Sequence, residues 1–198
     1  MEEPNKQSNN RMTLIESTYC GAIKKMSGPT ALLHQDYHDL FYGFPIHDEN
    51  ELFGRLILEI NQAGLSWTTI LQKQEAFRKA YSDYDIDAVA TYDEKDVARL
   101  LNDAGIIRNR LKIAATIHNA RVIGSLRKDA GSFNRWLDQR SGNDLNAWIS
   151  LFKKNFKFTG KEIVNEFLMS TGYLSGAHHP DCPVYKTAMA QQPAWTKK

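Results

Sequence analysis

Cysteine is almost absent from this sequence: two of its 198 residues, Cys20 and Cys182, carry thiols, one near each end. A small scaffold stapled by several disulfides is excluded, so the two thiols pose a question of metal binding or free thiol chemistry. Equally missing is any apolar run of the roughly 20 residues that a membrane-spanning helix needs. The N-terminus, Met1-Glu2-Glu3-Pro4-Asn5-Lys6, lacks the basic-then-apolar pattern of a secretory leader. A cytoplasmic protein with no membrane association is therefore expected. Charge of one sign is not in excess either. With 25 basic and 23 acidic residues the formal net charge is +2, so attraction to nucleic acid has to come from a local patch. Sustained period-two alternation and internal repeats are lacking as well, which argues against sheets and solenoids.

What is present is the balance of a soluble globular domain, 42% hydrophobic and 24% charged residues, in a chain long enough to bury a sizeable core. Helical spacing dominates. The expectation is an all-α fold, a compact bundle of about eight helices joined by short loops. Residues 1–12 read as a disordered tail, 13–185 as a single domain and 186–198 as a mobile tail.

One stretch organises the rest. In Glu51–Trp67, the residues Leu52, Phe53, Leu56, Ile57, Ile60 and Ala63 fall on one helical stripe. At roughly 100° per residue, Glu59 lies only about 20° from Leu52, on the edge of that stripe and off the solvated face. A carboxylate there is partly desolvated and needs a partner, in the protein or in a ligand. Asp48 with Glu51 predicts a capping box at the start of this helix, Gly64 a left-handed stop and Ser66 the cap of the next helix. That turn brings Trp67 near Glu59. With Tyr37 and Tyr42 it supplies aromatic faces that either pack a core around an internal Glu–Arg or Glu–Tyr pair, or line a pocket for an aromatic, cationic ligand such as a flipped base.

Two further constellations carry chemistry. Around 94–124 two helices are joined by a short turn at Gly105, followed by Arg108, Arg110 and Lys112. From Arg108 to Lys128 there are six basic residues and no acidic one. A helix-hairpin-helix uses such a turn to hold a nucleic-acid phosphate on backbone N–H groups, whereas a plain αα-turn would carry the same charges as a solvated face. At the ends, Cys20 with His38 and His178 with Cys182 offer the two thiols and two imidazoles of a tetrahedral structural zinc site, a clasp between segments 20–38 and 178–182. His34 and His179 compete as ligands. Further on, Asp87 is expected to cap a short helix and Thr159-Gly160-Lys161-Glu162 to form a capping box.

Together, Tyr37-His38-Asp39-x-x-Tyr42-Gly43-x-Pro45, Leu58-Glu59-x-x-Gln62-Ala63-Gly64-Leu65-Ser66-Trp67, Asp103-Ala104-Gly105-Ile106-Ile107-Arg108 and Phe156-Lys157-Phe158-Thr159-Gly160 resemble the 3-methyladenine DNA glycosylase I (Tag) family. The resemblance implies a helix-hairpin-helix enzyme that is monofunctional, acts as a monomer on double-stranded DNA containing alkylated bases, and releases free 3-methyladenine. It also implies Glu59 as the acid at the base edge, Tyr37, Trp67 and Tyr42 as pocket walls, Gly105, Arg108, Arg110 and Lys112 at the DNA backbone, and one structural Zn2+ on Cys20, His38, His178 and Cys182. A non-catalytic binder of alkylated DNA on the same scaffold is the competing expectation. Three departures from the family pattern stand out: a longer Cys20–His38 spacing, Tyr42 in place of a tryptophan, and His34 where a pocket tyrosine often sits.

Overall fold

In a computed structural model the described residues are 18–197, and they contain helices and turns with no strand. The expected tail at 1–12 lies outside them. The chain runs through α1 (Tyr19–Lys25), α2 (Ala31–Leu40), α3 (Glu49–Gln62), α4 (Trp67–Gln72), α5 (Gln74–Ala80), α6 (Ile86–Ala90), α7 (Glu94–Asn102), α8 (Arg110–Ala130), α9 (Phe133–Asp138), α10 (Leu145–Asn155), α11 (Lys161–Ser170) and α12 (Tyr185–Ala190). No described helix is long and apolar enough to cross a membrane.

Helix α3 is central. Leu52, Phe53, Leu56, Ile57 and Ile60 are buried among residues of α8, α9, α10 and α11, so the predicted stripe is the middle of the core. The Asp48 carboxylate accepts from the amides of Asn50 and Glu51, which starts α3. The reciprocal half of the predicted box is missing, because the Glu51 carboxylate is held by both guanidinium nitrogens of Arg78 at 2.6 and 2.7 Å. Gly64 takes φ +81°, and the Ser66 side chain accepts from the Thr69 amide. The chain thus turns sharply from Glu59 to Trp67.

Other expectations are corrected. The bundle has more and shorter helices than anticipated. Beyond the Ser66 cap the chain forms two short helices, α4 and α5, broken at Lys73, whose ammonium donates to the carbonyls of Ala104 and Gly105. Asp85, not Asp87, caps α6 by accepting from the Ala88 amide. Thr159 caps nothing: its hydroxyl is buried against the carbonyls of Phe152 and Phe156, and Gly160 occupies the N-cap of α11. Residues 186–197 are not a structureless tail. Helix α12 and a 3-10 turn at Ala194–Thr196 pack back, with Ala188 buried and the Trp195 amide donating to the Gly172 carbonyl.

Candidate functional site

Glu59 sits in the last turn of α3, with only 4% of its surface exposed. It faces a cavity of about 320 Å³, at the small end of ligand pockets. Tyr37 and Tyr42 from α2 and its C-terminal turn, Trp67 from the start of α4 and Tyr19 from α1 form the aromatic walls. The rings of Tyr37 and Trp67 lie 5.0 Å apart and those of Tyr19 and Tyr42 5.3 Å apart. Gln62, Glu162 and Glu166 complete the lining. Three carboxyls and no basic side chain face this space. A larger groove of about 520 Å³ runs past Phe44, Arg55 and Arg78 on another side of α3, but Glu51 in its lining is already paired with Arg78.

An internal pair does not seal Glu59. Arg55, one turn earlier, donates to the Tyr37 hydroxyl at 2.8 Å and lies over the Tyr37 ring. Burial raises the Glu59 carboxyl strongly, the Arg55 charge pulls it back, Glu166 pushes it up again and a hydrogen bond with Ser170 lowers it. The net result is a pKa of about 8, against the ordinary 4.5. An empty cavity therefore holds a neutral acid at pH 7, and a cation placed beside it favours its ionisation. The Trp67 indole N–H is buried without a hydrogen-bond partner, another polar group facing unmet need at this wall.

Four of the lining residues, Tyr19, Gln62, Glu162 and Glu166, were not assigned to the pocket by sequence reasoning. Tyr19 precedes Cys20, and α1 packs on α2, so the phenol arrives beside Tyr37 and Tyr42. His34, which stands where a pocket tyrosine was anticipated, instead bonds the Tyr19 hydroxyl at 2.8 Å and the Thr68 hydroxyl at 2.7 Å. Glu166 belongs to α11, whose positions 162, 166 and 170 form one face toward α3. Its carboxylate accepts from the Tyr42 hydroxyl at 3.3 Å.

Immediately beyond Tyr37, His38 turns into the second cluster. The donor atoms of Cys20, His38, His178 and Cys182, all four buried, lie within 4.8 Å of one another. His34 and His179 are not part of it. The sulfur–nitrogen distances are 3.7 Å (Cys20–His178), 3.7 Å (Cys182–His38) and 3.9 Å (Cys182–His178). Tetrahedral zinc, with Zn–S of about 2.3 Å and Zn–N of about 2.0–2.1 Å, implies edges of about 3.6 Å, so the donor set fits that ion. The outer nitrogens are also fixed. His38 Nδ1 pairs with Asp39 Oδ1 and His178 Nε2 with the Tyr42 carbonyl, both at 2.6 Å. A carbonyl only accepts, so His178 Nε2 carries the proton and Nδ1 keeps its lone pair toward the thiols. Burial pushes the Cys20 thiol up, but its contacts with the His178 and His38 imidazoles outweigh that and hold it well below the ordinary thiol range. Gly43 makes the approach possible: at φ +81°, a Cβ there would lie 2.6 Å from Ala177 Cβ.

At the hairpin, α7 and α8 are joined by residues 103–109. Arg108 and Arg110 are exposed. Lys112 is not, and its assignment to the DNA backbone is corrected. Its ammonium is buried and donates to the carbonyls of Asn61 (2.8 Å) and Ala63 (2.7 Å), capping the C-terminus of α3, where cations are favoured. The Gly105 amide is likewise taken, by Asp103 Oδ1 at 2.7 Å, and the Asn109 side chain accepts from the amides of Leu111 and Lys112. Among the described residues the amides of Ile107 and Arg108 form no hydrogen bond within the protein.

Comparison with known proteins matches this architecture. The family profile described as methyladenine glycosylase matches residues 28–147. DNA-3-methyladenine glycosylase 1 of Escherichia coli (strain K12) is 34% identical over 173 residues, covering 77% of this chain and 91% of that protein. The DNA-3-methyladenine glycosylase of Haemophilus influenzae is 31% identical over 170 residues, with coverage of 76% and 91%. The structure of 3-methyladenine DNA glycosylase I (TAG) from Staphylococcus aureus superposes with a TM-score of 0.74 at 29% identity, covering 86% of this chain and 96% of that one. A variant of a TAG protein in complex with 3-methyladenine superposes with a TM-score of 0.73 at 29% identity, covering 82% and 95%. A buried acid under aromatic walls, on an all-helical frame shared with these proteins over nearly their full length, places the chain in the methyladenine glycosylase family.

Proposed function

We propose that this protein hydrolyses the N-glycosidic bond of 3-methyladenine in alkylated double-stranded DNA, as a cytoplasmic monomer, releasing the free base and leaving an abasic site. The observation that carries this reading is Glu59, an acid without a basic partner, buried at the wall of an aromatic cavity that presents only carboxyls as charged groups.

The base must leave the helix to reach this cavity, at a cost of a few kcal/mol that is smallest for damaged bases. Stacking on Tyr37 and Trp67 returns of order 1–3 kcal/mol per aromatic face. N3-methyladenine in DNA carries positive charge. As it enters, Glu59 gives up its proton to solvent and pairs with the cation. Neutral adenine offers no charge to offset that ionisation, so the same acid discriminates against it. The N9–C1′ bond then breaks, its electron pair neutralises the departing base, and water adds to the oxocarbenium-like C1′ and loses a proton to solvent. No lysine lines the cavity, so no Schiff base forms and the strand stays intact.

The α7–α8 hairpin is read as a helix-hairpin-helix that grips a phosphate through Arg108, Arg110 and the free amides of Ile107 and Arg108. Cys20, His38, His178 and Cys182 are read as the ligands of one structural zinc ion, which when bound cross-links α1 and α2 to the segment after Gly176 and takes no part in the reaction.

The test is chromatographic. Incubating the protein with methylated DNA should release 3-methyladenine and leave abasic sites without strand breaks. Binding of the DNA with no release of base would instead mark a non-catalytic lesion binder.

A further inference from the structure

We propose that Glu166 is a second specificity-determining carboxylate of this cavity, oriented by Tyr42 so that the charged lesion is read from two sides. The inference rests on the base-pocket reading above and adds a residue to it.

Glu59 enters the cavity from α3 and Glu166 from α11, so the two acids approach from separate elements. Both line the same cavity of about 320 Å³, and no arginine or lysine lines it with them. Glu166 is not spoken for by a cation elsewhere. Its partner is the Tyr42 hydroxyl, which donates to Oε2 at 3.3 Å. Tyr42 is itself 7% exposed and wedged between Tyr19 and Tyr37, with ring centroids 5.3 and 5.7 Å away, so it holds Glu166 in one orientation. Glu162, one turn earlier on α11, is exposed at the rim and remains hydrated. Two acids held close together, without a cation between them, repel one another when ionised. A cationic ring placed between them relieves both at once, while a neutral ring of the same shape relieves neither. Glu166 thus contributes to selecting charge, and the aromatic walls contribute to selecting shape.

The test uses two probes on the same purine frame, one charged and one neutral, and the quenching of tryptophan fluorescence. The first is 3,9-dimethyladeninium, a permanent cation that mimics the flipped lesion, and the second is 9-methyladenine, its neutral counterpart. Glu166→Gln keeps the size of the side chain and an oxygen for the Tyr42 hydroxyl. It should weaken binding of the cation about tenfold and change binding of the neutral probe by less than twofold. Equal losses for both probes, or no loss for the cation, would overturn the assignment of Glu166 while leaving the cavity a base site. A wild-type protein that fails to bind the cation at all would overturn the base-site reading and this proposal with it. Should Glu166→Gln not fold, Tyr42→Phe carries the same comparison: it withdraws the orienting hydrogen bond and should reduce the preference for the cation by a smaller factor, and an unchanged preference would count against the pair.

Discussion

Tyr37 and His38 are consecutive residues of one helix, yet they serve two regions of opposite character. Around His38 every polar group has what it needs. Two thiols and two imidazoles converge at zinc-like distances, and the outer imidazole nitrogens are held by Asp39 and the Tyr42 carbonyl. Around Tyr37 the polar groups lack what they need. Glu59 is buried with no cation in salt-bridge contact, Glu166 is held by neutral partners, and the Trp67 N–H has no partner. With zinc bound as proposed, the first region would stabilise the fold, whereas the second burdens it. A cavity that carries unpaired acids favours the ligand that completes it, and the zinc proposed for the neighbouring cluster would add the rigidity that keeps the cavity from collapsing around those acids.

The strongest way to break this contrast is Glu59→Gln. Excision of 3-methyladenine from methylated DNA should fall roughly 100-fold or more, measured as free base released in a single turnover. Stability should move the other way. The folded-state pKa of about 8 lies above the ordinary 4.5. The proton on Glu59 therefore favours the folded state fully below about pH 4.5, and that contribution is lost as pH rises through 8. The variant has no such loss. It should melt several degrees above wild type at pH 8.5 and approach it near pH 5, following a difference of order 2–5 kcal/mol. Parallel melting curves at both pH values would show that Glu59 is not a strained acid.

Cys182→Ser addresses the other region. Loss of one ligand should release zinc, detected by elemental analysis, and lower the melting temperature by roughly 10 °C, with DNA affinity changed far less. A wild-type protein purified without bound metal would refute the clasp.

These two regions were also unequally legible from sequence. The stripe of α3, the turn at Gly64 and the cap at Ser66 are local patterns, so Glu59 and Trp67 could be placed from spacing alone. The convergence of Cys20, His38, His178 and Cys182 was legible because thiols are so few. Glu166 was not, because its cavity-facing position depends on how α11 docks on α3, and the apolar residues Val164, Phe167 and Leu168 dominate that helix's pattern. Tyr19 was hidden for a related reason: what carries it to the pocket is the packing of α1 on α2. Helix α12 has six residues and weak periodicity, and only distant contacts such as Trp195 with Gly172 reveal it. Lys112 was misread because a lysine in a basic run normally points to solvent.

Lys112 sharpens the comparison by joining the hairpin to the cavity. Its ammonium ties the first turn of α8 to the carbonyls of Asn61 and Ala63, between Glu59 and Trp67. Lys112→Met leaves those two carbonyls without their charged donor, a loss of order 2–4 kcal/mol. Melting should show that loss, and excision should fall about tenfold as the Glu59–Trp67 turn loosens. The salt dependence of DNA binding should not change, because this lysine does not reach a phosphate.

Arg110→Ala is expected to have the smallest effect and the most diagnostic one. Two residues from Lys112 in the same helical turn, Arg110 keeps 62% of its side chain exposed and meets only the 88% exposed Glu94, at 3.5 Å. Such a pair holds neither side chain firmly, so the guanidinium is free to bind a phosphate. Removing it should weaken DNA binding a few-fold for all sequences alike and reduce the slope of log affinity against log salt by about 0.9, with excision at saturating DNA unchanged. Charge alone would give neighbouring basic residues equal slopes. A slope that changes for Arg110→Ala and not for Lys112→Met separates the residue that touches the phosphate from the one that holds the pocket in register with it. Equal slopes for the two variants would move DNA docking away from this hairpin.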